Sequence, residues 1–380
     1  MKNTSLINRR KWLRNTVLSS AGLVVAANTS VFAHDQVLES FSEEELIRLF
    51  SNENPYGPSP KAKAAIQQLI HRANRYATYH EATPKALKEA IAKKEGLKPE
   101  NVVLGHGSYQ LLTLIALMFG NKKETIITPK PTFNVTGYYA DKRLGANVKY
   151  IDLDKGHKMN LSAMRRAMDA NTSLVFICNP NNPTGTVIET ERLKSFCREV
   201  GKKATVFVDE AYIEYADPTK TKSMVELVRQ KENVLITRTF SKMYGLAGMR
   251  VGYALARKDI AEKLDKLNGN FGQLINTLSL GATLASLKDE QFIKSSIQKN
   301  QQVMRYFCQH LESINLPYVP SQTNFLYAQT GKIFKNFHSH LDKYQLKAVG
   351  RDSREWSRIS MGTMSDMKKL VKVMKSMKTK

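Results

Sequence analysis

The chain is poor in cysteine, in acidic residues and in long apolar runs, and each shortage removes a class of function. Three cysteines, Cys178, Cys197 and Cys308, are an odd count with neither C-x-x-C nor metal-ligand spacing. They support no disulfide framework and no zinc site, and they read as small core residues. No metal is expected. Carboxylates are outnumbered, 34 Asp and Glu against 58 Lys and Arg, which leaves a formal charge of +24. That balance would suit nucleic acid, an anionic membrane surface or an acidic substrate. The lysines are instead scattered through helix-like segments without an aromatic-interleaved recognition motif, so a solvated basic surface is the reading. No nucleic-acid partner is expected. A spanning apolar run is missing as well: the stretch at 16–33 contains Thr16, Ser19, Ser20, Asn28, Thr29 and Ser30. It is short and too polar to cross a bilayer comfortably.

What is present is globular material, 380 residues of which 42% are hydrophobic and 24% charged, enough for two domains with their own cores. Residues 8–14 read N-R-R-K-W-L-R, and the apolar stretch that follows ends V-F-A at Ala33. All-positive charge ahead of small apolar residues reads as a targeting segment. Its paired arginines resemble the twin-arginine export signal, which implies cleavage after Ala33, a periplasmic location and no stable membrane anchor. An uncleaved leader would leave the chain cytoplasmic or membrane-anchored. Loss of Lys2, Arg9, Arg10, Lys11 and Arg14 takes the formal charge only from +24 to +19. The basicity is not confined to the leader.

Apolar runs then alternate with helical patterns. Candidate strands lie at 102–104, 125–128, 148–153, 174–178, 205–208, 234–237 and 251–256, an alternation that predicts an α/β domain with a mainly parallel seven-stranded sheet. Helices are expected at 61–72 behind Pro60, at 84–95, at 282–311 and from Ser365. The expected organisation is a leader at 1–33, an N-terminal arm with part of a small domain at 34–72, a large domain at 73–281 and a smaller α+β domain at 282–380.

The chemically informative residues fall just after the candidate strands, where open α/β sheets bind ligands. Lys242 sits in T-F-S-K-M-Y-G-L-A-G-M-R-V-G, 239–252, between hydroxyls at Thr239 and Ser241 and ahead of Arg250. A lysine at the end of a buried strand is an unusual place for an ammonium. A Ser-Lys dipeptide alone is more often a surface turn. Gly107 and Ser108, in G-H-G-S-Y-Q, let backbone approach an anion at a helix start, with Ser108 a good N-cap. Asp209 ends the run A-T-V-F-V and needs a cationic or protonated partner if buried. N-P-N-N-P-T-G at 179–185 is a rigid turn that aims Asn182.

In this order the motifs resemble the class I/II, fold type I pyridoxal-phosphate-dependent aminotransferases of histidinol-phosphate aminotransferase type, over residues 50–375. The resemblance implies pyridoxal 5'-phosphate, held covalently by Lys242, which also moves the substrate proton. Burial and nearby positive charge should lower the proton affinity of that lysine. Asp209 would keep the pyridine nitrogen protonated, so that the ring draws electrons. Asn182 and Tyr212 would hold the phenolic oxygen and Phe133 would stack on the ring. Gly107, Ser108, Tyr109, Thr239, Ser241 and Arg250 would hold the phosphate side, joined by Tyr76 of a second subunit. Arg358, in S-R-I-S-M-G-T, would take the substrate carboxylate, with Arg351, Asn54 of N-E-N-P and Asn324 nearby. Three departures stand out: Ala77 where the family has proline, Tyr109–Gln110 where it has acids, and a short segment from Arg351 to Arg358. The implied activity is transfer of an amino group from an amino acid or histidinol-phosphate-like amine to a 2-oxo acid by a homodimer with shared sites. A phosphothreonine-decarboxylase-like enzyme and a non-catalytic cofactor-binding protein are the alternatives.

Overall fold

The computed structural model describes residues 46–77, 81–269, 271–350 and 353–377. The expected leader at 1–33, the arm up to residue 45 and Arg351 lie outside the described residues. Strand β1 (Ile47–Leu49) opens the described chain, and seven strands follow: β2 (Val102–His106), β3 (Thr125–Lys130), β4 (Asn147–Asp152), β5 (Thr172–Cys178), β6 (Thr205–Asp209), β7 (Val234–Thr239) and β8 (Val251–Ala256). They form one sheet in the order β2-β8-β7-β6-β5-β3-β4, parallel throughout except for β8, which runs antiparallel to β2 and β7. All seven strands read from the sequence are present. The inner strands β5 and β6 are mostly buried Val, Ile, Leu and Phe, and β7 and β8 are buried along their whole length, as expected where helices cover both faces of such a sheet.

A second apolar cluster is built on strands β9 (Tyr318–Val319), β10 (Phe325–Ala328) and β12 (Ser357–Ser360) with the helices Glu290–Ser313 and Met364–Lys375. Strand β11 (Leu346–Ala348) pairs in parallel with β1, which ties the N-terminal arm to this cluster. Phe325 of β10 points the other way, into the large core against Tyr212 at 5.0 Å.

The long helices expected around 282–311 are Thr277–Leu287 and Glu290–Ser313, parted where Asp289 accepts from the Phe292 amide and caps a new start. Two local expectations are corrected. Ser108 is not an N-cap: the helix begins at Gly107, and the His106 amide is bonded by Gln110 Oε1 at 2.7 Å. Cys178 and Cys197 are buried, whereas Cys308 is only half-buried. Among the described residues no helix is long and apolar enough to cross a membrane, and no group of three metal-ligating side chains converges.

Candidate active site

Strands β5, β6 and β7 end beside one another, and a cavity of about 480 Å³ opens there. Asp209, the last residue of β6, is 2% exposed. Thr237 Oγ1 of β7 donates to its Oδ1 at 3.0 Å, and the Ala211 amide donates to it as well. Burial pushes its carboxyl up to about 6, and no cation among the described residues pairs with it. A carboxylate held this way is costly until a protonated partner arrives.

Lys242 follows β7 in the same cavity and donates from Nζ to the Ser51 carbonyl at 2.7 Å. Burial, followed by the charges of Arg358 and Arg250, lowers its proton affinity to about 8, with Glu53 and Asp209 opposing. The expected cause and direction are both found. Arg250 adopts a left-handed backbone (φ 54°) and donates from Nη1 to the Ala247 carbonyl at 2.9 Å and to Ser241 Oγ at 3.4 Å. Gly107 is required beside it: with φ at +73°, a Cβ would lie 2.5 Å from Arg250 Nη2. Gly252 of β8 is required for a similar reason, since its Cβ would lie 2.3 Å from the Ser108 amide nitrogen. The start of the helix Gly107–Phe119, Ser241 and the Arg250 guanidinium are thus drawn together, as an anion requires.

On the substrate side, Arg358 of β12 donates from Nη1 to Asn182 Oδ1 at 2.6 Å and from Nη2 to the Phe50 carbonyl. Its guanidinium lies over the Phe325 ring at 5.6 Å, and burial lowers its proton affinity. Neither Arg250 nor Arg358 forms an ion pair among the described residues. The arm residue Asn52, buried and left-handed (φ 53°), donates from Nδ2 to the Tyr212 hydroxyl at 2.9 Å. It also exchanges hydrogen bonds with Ser360 Oγ of β12, through its amide at 2.9 Å and its Oδ1 at 2.7 Å.

The cavity brings together Ser108, Tyr109, Phe133, Asn182, Asp209, Tyr212, Thr239, Ser241, Lys242, Arg250 and Arg358. Asn54 and Asn324 are not among its walls. Asn54 Nδ2 donates to the Met243 carbonyl at 2.8 Å, while Asn324 Nδ2 donates to the carbonyls of Asn52 and Glu53 at 3.0 and 3.1 Å. Both fix the arm from behind, because a buried amide is spent on the nearest backbone carbonyls. Tyr76, 85% exposed, is outside the cavity too. The N-E-N-P arm does line it, but through Asn52 and Glu53 and not through the Asn54 that the sequence singled out. Asparagine tolerates left-handed backbone, which was the available signal for Asn52.

These residues fit pyridoxal 5'-phosphate: an unpaired buried carboxylate for a protonated ring nitrogen, an amine of lowered proton affinity for an aldehyde, and a glycine-made cradle with an arginine for a phosphate. A family model described as aminotransferase class I and II matches residues 44–374. The histidinol-phosphate aminotransferase of Halalkalibacterium halodurans is 33% identical over 332 residues, spanning 87% of this chain and 88% of that one. Its counterpart from Moorella thermoacetica is 37% identical over 294 residues, 77% of this chain and 74% of that one. The crystal structure of histidinol-phosphate aminotransferase from Sinorhizobium meliloti in complex with pyridoxal-5'-phosphate matches with TM-score 0.78 and 25% identity, covering 90% of this chain and 94% of that one.

Proposed function

This chain belongs to the class I and II aminotransferase family and is a pyridoxal-phosphate-dependent aminotransferase; from that premise we propose how its residues share the work. It passes an amino group from an amino acid or a histidinol-phosphate-like amine to a 2-oxo acid. The cofactor, when bound, supplies an aldehyde for the amino group and a ring that draws electrons from the reacting carbon.

Lys242, with its proton affinity lowered to about 8, offers a neutral amine at mildly alkaline pH and afterwards carries the proton at the reacting carbon through the same Nζ. Asp209, held by Thr237 and the Ala211 amide, would keep the cofactor's ring nitrogen protonated. Arg250, Ser241 and the backbone at Gly107–Ser108 bind the phosphate. Arg358 presents a fork to a carboxylate, and its bond to Asn182 ties substrate binding to the turn that would hold the cofactor. Residues 51–53 wall the cavity and limit water entry.

The observation that carries this reading is the convergence on one cavity of Lys242, the unpaired Asp209 and two arginines without carboxylate partners. The enzyme is a homodimer whose partner contributes Tyr76, which its 85% exposure supports. It is exported through the R-R-K-W-L-R leader, which the sequence at 9–14 supports.

The test is a half-reaction. The protein is loaded with pyridoxal 5'-phosphate, single amines including histidinol phosphate are added, and the cofactor's absorption band is followed. Conversion to the amine form by a donor, and its reversal by a 2-oxo acid, is the expected result. Carbon dioxide release without that conversion would replace the reading with a decarboxylase, and no change with any amine would leave a binding protein.

A further inference from the structure

Arg358 is the last of three side chains that share one face of the small sheet. In β12 and the two residues before it, side chains alternate: Glu355 and Ser357 point one way, Trp356 and Arg358 the other. The first pair is pinned behind the strand. Gln329 Nε2 donates to Glu355 Oε2 at 2.9 Å, the Gly331 amide donates to the Glu355 carbonyl at 2.8 Å, and Ser357 Oγ bonds Thr330 Oγ1 at 2.6 Å and His338 Nε2 at 2.9 Å. Gly331 is needed for this contact, since a Cβ there would lie 2.5 Å from the Arg354 carbonyl oxygen.

With its neighbours fixed, Trp356 is directed towards the seven-stranded core. Its ring stacks on Tyr327 at 4.9 Å with a 20° interplanar angle, and Tyr327 is the cross-strand partner of Arg358. The His157 ring meets Trp356 edge-on at 4.6 Å and Tyr327 at 6.0 Å. His157 comes from a turn of the large core, is left-handed (φ 58°), and its carbonyl accepts from Thr186 Oγ1 at 2.9 Å. Thr186 immediately follows the N-P-N-N-P-T-G turn, whose Asn182 accepts from Arg358. One turn therefore holds the Arg358 side chain directly, and through His157 it also meets Trp356 and Tyr327, the latter paired with Arg358 across the sheet.

We propose that Trp356, clamped between Tyr327 and His157, is a positioning residue that fixes the Arg358 guanidinium for the substrate carboxylate; this rests on the aminotransferase reading of the same cavity. Without the clamp the fork keeps its charge and loses its aim. The consequence is confined to ligands that bear a carboxylate, donor and 2-oxo acid alike.

The test compares holoenzymes of the wild type, W356A and W356F in the half-reaction, with an amino acid and with the corresponding amine that lacks the carboxylate. W356A is expected to raise KM for the amino acid and the oxo acid roughly five- to tenfold, the effect of losing one well-placed aromatic contact. W356F restores most of it, and KM for the carboxylate-free amine stays at the wild-type value. Calorimetric Kd values for an unreactive dicarboxylate must weaken in the same order, a readout that does not need turnover. Equal loss for both donors, or unchanged KM and Kd in W356A, overturns the proposal. Should W356A fail to fold, H157A and W356F carry the same comparison. A wild type that binds the dicarboxylate but transfers no amino group from any donor would sink the aminotransferase reading and leave the clamp measurable.

Discussion

Lys242 Nζ donates to the Ser51 carbonyl at 2.7 Å, so the arm supplies the hydrogen-bond partner of the reactive amine. A carbonyl accepts from an amine as well as from an ammonium, though more strongly from the ammonium, so this bond opposes the fall in proton affinity without preventing deprotonation. With a value of about 8, roughly a tenth of the lysine is neutral at pH 7 and nine-tenths at pH 9. The rate of covalent cofactor loading should therefore rise about tenfold between those pH values and then level. R358M removes the largest charge that opposes protonation and should move the inflection upward. K242A should take up cofactor without covalent retention and lose turnover by several orders of magnitude, as borohydride reduction and mass spectrometry would register.

Arg358 donates to both Asn182 and the Phe50 carbonyl, so it is aimed before any substrate arrives. R358A should raise KM for carboxylate-bearing donors about a hundredfold, the scale for truncating one partner of a buried charge pair. R358K should recover only part, because an ammonium offers no planar fork. Steady-state kinetics with amino acids of differing side chains checks both. A uniform KM rise across donors is expected, since the carboxylate is common to all.

Much of this site was legible because each motif punctuates a strand end: Asp209, Lys242 and Asn182 all follow continuous apolar runs, and turn residues fix where they point. Asn52 was not, because its contacts to Tyr212 and Ser360 span 160 and 308 residues and leave no local periodicity. The same motif invited Asn54 in its place, although Asn54 faces Met243. The Trp356 clamp was hidden for a related reason: three aromatic rings from three separated segments carry no spacing signal. The exact break at Asp289 carries little sequence signal, since it is marked by the capping hydrogen bond to the Phe292 amide.

Asn52 makes a direct prediction. N52A removes the partner of the Tyr212 hydroxyl and of Ser360 and leaves a Cβ in left-handed backbone without the asparagine amide's compensation. Its thermal unfolding should reveal a loss of about 2–4 kcal/mol. N52G relieves the backbone and should recover about 1 kcal/mol of that loss while leaving turnover low, since Tyr212 stays unpartnered.

Export can be read independently of catalysis. Replacing Arg9 and Arg10 by lysine keeps the leader's charge while removing the paired guanidiniums. Cell fractionation should find the variant retained in the cytoplasm and the unaltered chain outside it, shortened after Ala33. Equal distribution of the two would end the twin-arginine reading.

Asp209 gives the sharpest contrast between the free and loaded protein. Burial raises its folded-state value from 3.8 to about 6. Between those two values the unfolded chain has already released its proton while the folded one retains it, so stability falls as pH rises and levels above about 6. The whole effect is on the order of 3 kcal/mol, about 1.4 kcal/mol for each unit. In the cofactor-free protein D209N carries no such cost and should unfold at a higher temperature than the wild type at pH 7.5. Loading reverses the order, because the wild-type carboxylate then meets a protonated ring nitrogen while the amide meets it without charge. Melting curves of both proteins, with and without cofactor, decide the point. A wild type more stable than D209N in both states would mean that Asp209 finds its compensating charge within the protein itself.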